Sequence, residues 1–299
     1  MRNITTVQNN VTIAAGLFGL VLIVLLLFKV PGRPQMWLYP LVRQAAQAKV
    51  DYQTRGMAEY ETAHFIIKYT AADADMVEMV ATAAEQAYEP VKAIMGYAPA
   101  DKTLILIYPD KAGLNKAFGW SGDESAMGVY WGGVIQLLSP RVWLKSGESV
   151  TEFIHSGPMV HEYTHLVFDY MTNGNYPRWF TEGLAQYVEY RVNNYEWLTP
   201  ENTWNHNLYT MADMDDNFDG LASQSLAYRE SLAAVRYIAE VHGEDKLQEV
   251  IQALKKGQSM DQAIKQATGL DYPAFELAWK QWAAANMKNY TAKKQEIHR

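Results

Sequence analysis

Residues 156–170 read Ser156-Gly157-Pro158-Met159-Val160-His161-Glu162-Tyr163-Thr164-His165-Leu166-Val167-Phe168-Asp169-Tyr170 and contain a His-Glu-x-x-His run. Ser156 is placed to cap a helix, Pro158 falls in its first turn where a missing N–H costs nothing, and Asn173-Gly174 supplies a stop. On such a helix His161 and His165 lie one turn apart on one face, so both imidazoles reach a single metal ion. Glu162 is rotated about 100° from His161. That puts a carboxylate beside the metal, where a base must stand to take a proton from an activated water.

Two histidines leave a tetrahedral zinc ion short of one protein ligand. The segment Trp179-Phe180-Thr181-Glu182-Gly183-Leu184-Ala185-Gln186-Tyr187-Val188-Glu189 predicts a second helix, capped by Thr181, with Glu182 in its first turn. Glu182 follows His165 by 17 positions, enough for the first helix to end, a loop through 173–177 and an antiparallel return. The expected site is therefore Zn2+ on His161, His165 and Glu182 with one open position for water, the pattern of a catalytic rather than a structural zinc. The chain has no cysteine, so any metal must use His, Asp or Glu, and a thiol nucleophile or disulfide scaffold is excluded.

With these residues in view, the chain resembles the peptidase-MA-like metallopeptidases of the gluzincin clan. The resemblance is carried by His161–His165, Trp179–Ala185, Ala227-Tyr228-Arg229-Glu230-Ser231 and the tail Gly269–Trp279, and spans roughly 59–285. It implies an α+β fold with a thermolysin-like zincin catalytic domain, in which a mixed sheet-and-helix N-terminal half precedes a helical C-terminal half and a hairpin strand lies along the cleft. It also implies hydrolysis of peptide bonds, with Glu162 as general base and Tyr228 as donor to the developing oxyanion. Many gluzincins place an acidic residue four positions after the glutamate ligand to orient a ligating histidine. Here that position is Gln186, leaving Gln186 or Asp169 to accept the second imidazole N–H.

Outside the motifs, Phe65–Tyr69 and Thr103–Tyr108 read as strands flanking a helical stretch 75–95, a β-α-β alternation. Residues 127–131 and 134–138 flank Gly132-Gly133, a strong hairpin signal. From Ser156 onward the pattern is helical, and Ala227–Ser231 is expected to open a helix over 232–241. His206, in a polar loop, is a second candidate donor, and His155 is out of register with the zinc helix. Asp215-x-Asn217-x-Asp219-Gly220 copies the start of a calcium loop, but its twelfth position is Leu226, so it reads as a solvated acidic loop.

Residues 11–28, VTIAAGLFGLVLIVLLLF, carry no charge and approach the length that spans a bilayer. Lys29-Val30-Pro31-Gly32-Arg33-Pro34 follows in place of an A-x-A-like cleavage site, which favours an uncleaved anchor over a signal peptide. The expected organisation is an N-terminal flank 1–10, a transmembrane anchor 11–28, a stalk and linker 29–58, a metallopeptidase domain 59–290 and a polar tail 291–299. Lys29, Arg33 and Arg43 outnumber Arg2 and so favour a cytoplasmic C-terminal side. The lack of cysteine, and the rule that long domains translocate largely regardless of charge, favour an extracytoplasmic domain, which is the expectation adopted. The formal charge of −7 argues against a nucleic-acid partner and leaves a peptide or protein substrate and the membrane as partners. Two rival functions remain open on sequence: a zinc hydrolase of a non-protein amide such as a cell-wall peptide, and an anchored, non-catalytic zinc-binding module.

Overall fold

The computed structural model describes residues 35–121, 126–145, 149–204 and 207–290. The chain enters as helix α1 (Gln35–Gln53), followed by β1 (Ala58–Glu61), β2 (Phe65–Tyr69), α2 (Val77–Met95), β3 (Thr103–Tyr108) and α3 (Lys111–Phe118). The hairpin β4 (Gly128–Trp131) and β5 (Val134–Leu138) comes next, with short helices α4 (Pro140–Trp143) and α5 (Val150–Ser156). The rest is helical: α6 (Met159–Thr172), α7 (Arg178–Asn193), α8 (Met211–Asp216), α9 (Gln224–Tyr237), α10 (Glu244–Lys255), α11 (Met260–Thr268) and α12 (Tyr272–Asn286). This is a mixed α+β fold. The expected β-α-β unit, hairpin and helical C-terminal half are all present.

The five strands form one sheet in the order β1-β2-β3-β5-β4, with β2, β3 and β5 parallel and β1 and β4 antiparallel at the two edges. Gly132 and Gly133 turn the hairpin with φ of 58° and 84°, a two-residue turn that side-chain-bearing residues resist. Both faces of the sheet are covered, which explains why every residue of β5 is buried. Phe65, Ile67, Ile105, Ile107, Ile135 and Leu137 join the main core with α2 and α6. On the opposite face Leu106 and Val134 pack with Val50 of α1.

That contact revises the expected stalk. Of residues 41–54 all but the last are helical, as their composition suggests, but the helix begins at Gln35 and is docked on the domain rather than extended from it. Lys68 of β2, itself buried, pairs with Asp51 at 2.5 Å, and Gln47 Nε2 donates to the carbonyl of Gly133 and to the Tyr170 hydroxyl. Arg43 lies over the Tyr170 ring at 3.8 Å and pairs with Asp169 of α6 at 2.9 Å. The inner face thus follows a helical repeat through Tyr39, Arg43, Ala46, Gln47 and Val50. Among the described residues no helix is long and apolar enough to cross a membrane. The apolar stretch 11–28 lies outside the described residues, as do flank 1–10 and tail 291–299.

Candidate active site

Three helix starts differ from the sequence reading. Ser156 ends α5, its hydroxyl bonding back to the carbonyl of Glu152, and α6 begins after Pro158. Thr181 is not a cap: α7 begins at Arg178 behind Pro177, and the Thr181 hydroxyl turns towards His165. Ser223 caps α9, accepting from the N–H of Leu226, so Ala227–Ser231 lies within the helix rather than before it. The stop of α6 is as expected, with Asn173 and Gly174 at positive φ.

His161, His165 and Glu182 converge. Nε2 of His161 lies 3.3 Å, and Nε2 of His165 3.4 Å, from the same oxygen, Oε2 of Glu182. Ligands about 2.0–2.1 Å from a tetrahedral zinc ion stand roughly 3.3–3.4 Å apart, so these spacings fit a tetrahedral ion. All three residues offer their ligand atoms within 4.8 Å of one another. Two imidazoles, each giving up any proton on its ligating nitrogen, and one carboxylate are also a chemically suitable donor set for zinc.

The rings are held from behind. Nδ1 of His165 lies 2.7 Å from the Thr181 hydroxyl, to which it would donate with Nε2 bound to an ion. Nδ1 of His161 faces Oε2 of Glu189 at 3.5 Å. Neither residue offered by the sequence reading fills this role. Gln186 donates instead to the backbone carbonyls of Glu182 and Tyr228, and Asp169 is occupied by Arg43, Tyr130 and Tyr176. Glu189 was findable: it lies seven residues after Glu182 on the same helix, hence on nearly the same face.

Charge balance within this buried cluster is tight. Burial alone would raise the Glu182 carboxyl, but His165, Arg178 and His161 outweigh it and hold the group well below the ordinary carboxylate range. His161 shows the converse: burial favours the neutral ring, yet Glu182 and Glu189 raise it well above the usual histidine value. Arg178 Nη2 pairs with Oε1 of Glu182 at 3.1 Å, which leaves Oε2 to the histidines.

Glu162 stands on the sheet side of the centre. Its Oε2 accepts the backbone N–H of Tyr130, on edge strand β4, at 2.6 Å. Burial raises its carboxyl above the ordinary value. Strand and helix meet closely here, because a Cβ on Gly128 would stand 2.8 Å from Glu162 Cγ and 2.9 Å from Pro158 Cβ. Tyr130 itself reaches across α6, donating its hydroxyl to Oδ2 of Asp169 at 2.6 Å. On the other side of the site Tyr228, half-buried against Phe218 and Trp197, has its hydroxyl 3.5 Å from Arg178 Nη2. Burial and the nearby Glu182 push its phenol above the ordinary tyrosine value, which keeps it a donor at neutral pH.

The remaining candidates among the described residues have other partners. His155, exposed on the last turn of α5, makes an edge contact with Tyr195. His206 lies outside the described residues. In the acidic loop, Asp215 accepts from Trp179 Nε1 and the Tyr272 hydroxyl, whereas Asp219 faces Arg178, so the two carboxylates serve different neighbours.

Comparison with known proteins agrees with this geometry. Residues 148–285 match the family model of the peptidase MA superfamily, which covers α5 to α12 and every residue of the His-His-Glu centre. Over these residues the chain is similar to the peptidase MA superfamily, the metallopeptidase family that its motifs resemble. Uncharacterized protein YhcO of Bacillus subtilis (strain 168) is 21% identical over 256 residues, covering 82% of this chain and 77% of that protein. A crystal structure of Legionella pneumophila aminopeptidase A in complex with aspartic acid is similar at a TM-score of 0.45 and 12% identity. That alignment covers 75% of this chain and spans 27% of the length of the aminopeptidase.

Proposed function

We propose that this chain is a membrane-anchored, zinc-dependent peptidase with its folded part on the extracytoplasmic face. The observation that carries the catalytic part is the convergence of both histidine Nε2 atoms on one Glu182 oxygen with Glu162 held alongside. The donor set and its spacing fit zinc, held by His161, His165 and Glu182. When bound, zinc supplies Lewis acidity, lowering the pKa of water and polarising a carbonyl.

The chain's own groups do the rest. The Tyr130 N–H fixes Oε2 of Glu162, leaving Oε1 to take the proton of the attacking water and pass it to the leaving amine. Burial raises the Glu162 carboxyl above the ordinary carboxylate value. Tyr228, held protonated, donates to the oxyanion. The substrate backbone lies along β4, whose outer edge has no neighbouring strand among the described residues. Membrane attachment rests on residues 11–28, and the extracytoplasmic side on the cysteine-free composition.

The test is turnover of a mixed peptide library by the purified full-length chain, with cleavage sites sequenced, with and without chelator, and with zinc-loaded Glu162→Gln. The parent should cleave only without chelator, and Glu162→Gln should lose at least ~10²-fold while retaining metal. Near-parent turnover by the variant would remove Glu162 as base. A parent that loads zinc yet cleaves no peptide would transfer the reading to a non-protein amide or to a binding module.

A further inference from the structure

Helix α1 has two faces, and the domain uses one. The inner face is pinned by Arg43, Gln47 and Val50, so the helix cannot roll to hide its other side. That other side presents Trp37 at 63% exposure, Leu38 at 50%, Leu41 at 60% and Val42 at 54%. The spacing 37, 38, 41, 42 makes them one contiguous stripe on the first two turns. Four large apolar side chains together on a solvent face are not the scattered exposure that any soluble surface tolerates.

The position of the stripe in the chain identifies its occupant. The uncharged run 11–28 ends six residues before Pro34, and those six span at most about 20 Å even when fully extended. They include Lys29 and Arg33, cations suited to lipid headgroups, and the stripe itself opens with Trp37, the residue type enriched where bilayer meets water. We propose that the outer face of α1 lies in the lipid–water interface, with Trp37, Leu38, Leu41 and Val42 among the upper acyl chains. This rests on the membrane attachment proposed above and adds a second, laterally bound contact to it. Because the inner face of the same helix holds Asp169 and the hairpin, the bilayer then sets the orientation of the domain, not only its distance from the membrane.

The chain's lack of cysteine makes the test direct. Leu38→Cys, Leu41→Cys and, as a surface reference, Lys255→Cys are each spin-labelled in the full-length protein. They are reconstituted in phosphatidylcholine–phosphatidylglycerol vesicles, and collision rates with oxygen and with a water-soluble nickel chelate are compared. The oxygen-to-nickel ratio should be several-fold higher at 38 and 41 than at 255. Ratios equal to that at 255 in carbonate-resistant vesicles would overturn the interfacial face while leaving the anchor standing. Release by carbonate, with all three labels nickel-accessible, would overturn both. Dipolar broadening at 38 and 41 would mean a second copy covers the stripe, and protection from both reagents would mean another segment of the chain does. Either result rejects the bilayer as occupant.

Discussion

Arg43 and Asp169, 126 residues apart in sequence, form a buried ion pair at 2.9 Å that ties the first described helix to the helix bearing both histidines. Asp169 is wholly buried and also accepts the hydroxyls of Tyr130 and Tyr176, so its charge is answered by a guanidinium together with neutral phenol donors.

Arg43→Met keeps the length of the side chain and removes that guanidinium. An uncompensated buried carboxylate of this kind costs about 3–5 kcal/mol, so the urea midpoint should fall markedly. The double variant Arg43→Met/Asp169→Asn, which no longer buries a charge, should recover part of the loss. An unchanged midpoint for the single variant would show that α1 is not held by this pair.

Thr181 and Glu189 touch the ring nitrogens that face away from the centre, so on the proposed zinc reading they would act on metal affinity without offering a ligand. Thr181→Val and Glu189→Gln should each weaken zinc binding by about 10–100-fold, the range found for partners of ligating histidines. Competition against a chelator of known affinity reads this directly, with Asp213→Asn as a reference that should not change. Parent-like affinity in both variants would leave the histidines oriented by packing alone.

Glu230 provides a pH test away from the centre. Burial is the main cause that pushes its carboxyl up to about 8, against the opposing N–H of Tyr209 and charge of Lys280. A folded value above the unfolded value of about 4.5 means the folded state binds the proton more tightly. The contribution to stability is therefore complete below about pH 4.5, declines as pH rises through about 8 and is flat beyond, amounting to at most roughly 5 kcal/mol. Glu230→Gln removes this slope. Urea midpoints from pH 5 to 9 should shift progressively in favour of the variant, and parallel profiles for the two proteins would refute the assignment.

The centre was legible because its spacing is set by helix geometry. Two histidines four apart and a glutamate on the returning helix admit one sensible arrangement, and Gly132-Gly133 fixes the hairpin by backbone conformation. The docking of α1 was not legible. Its Ala- and Gln-rich composition is that of any surface helix, and its partners Asp169, Gly133 and Val134 are remote in sequence. Edge strand β1, exposed at all four positions, lacks the alternation by which strands are read. The bond from Tyr130 to Glu162 uses a backbone N–H, which carries no residue-type signal.

The supports of the centre arrive from opposite directions, since Glu162 is steadied by the hairpin strand and the histidines by α7. Damage to one side need not reach the other. A collection of inactivating alleles should therefore separate into two kinds. Lesions around Gly128 and Tyr130 would yield protein that still fills with metal but turns over nothing. Lesions around Thr181, Glu189 and Arg178 would yield protein whose defect extra zinc in the medium repairs. Growth on graded zinc would sort the two kinds before any protein is purified.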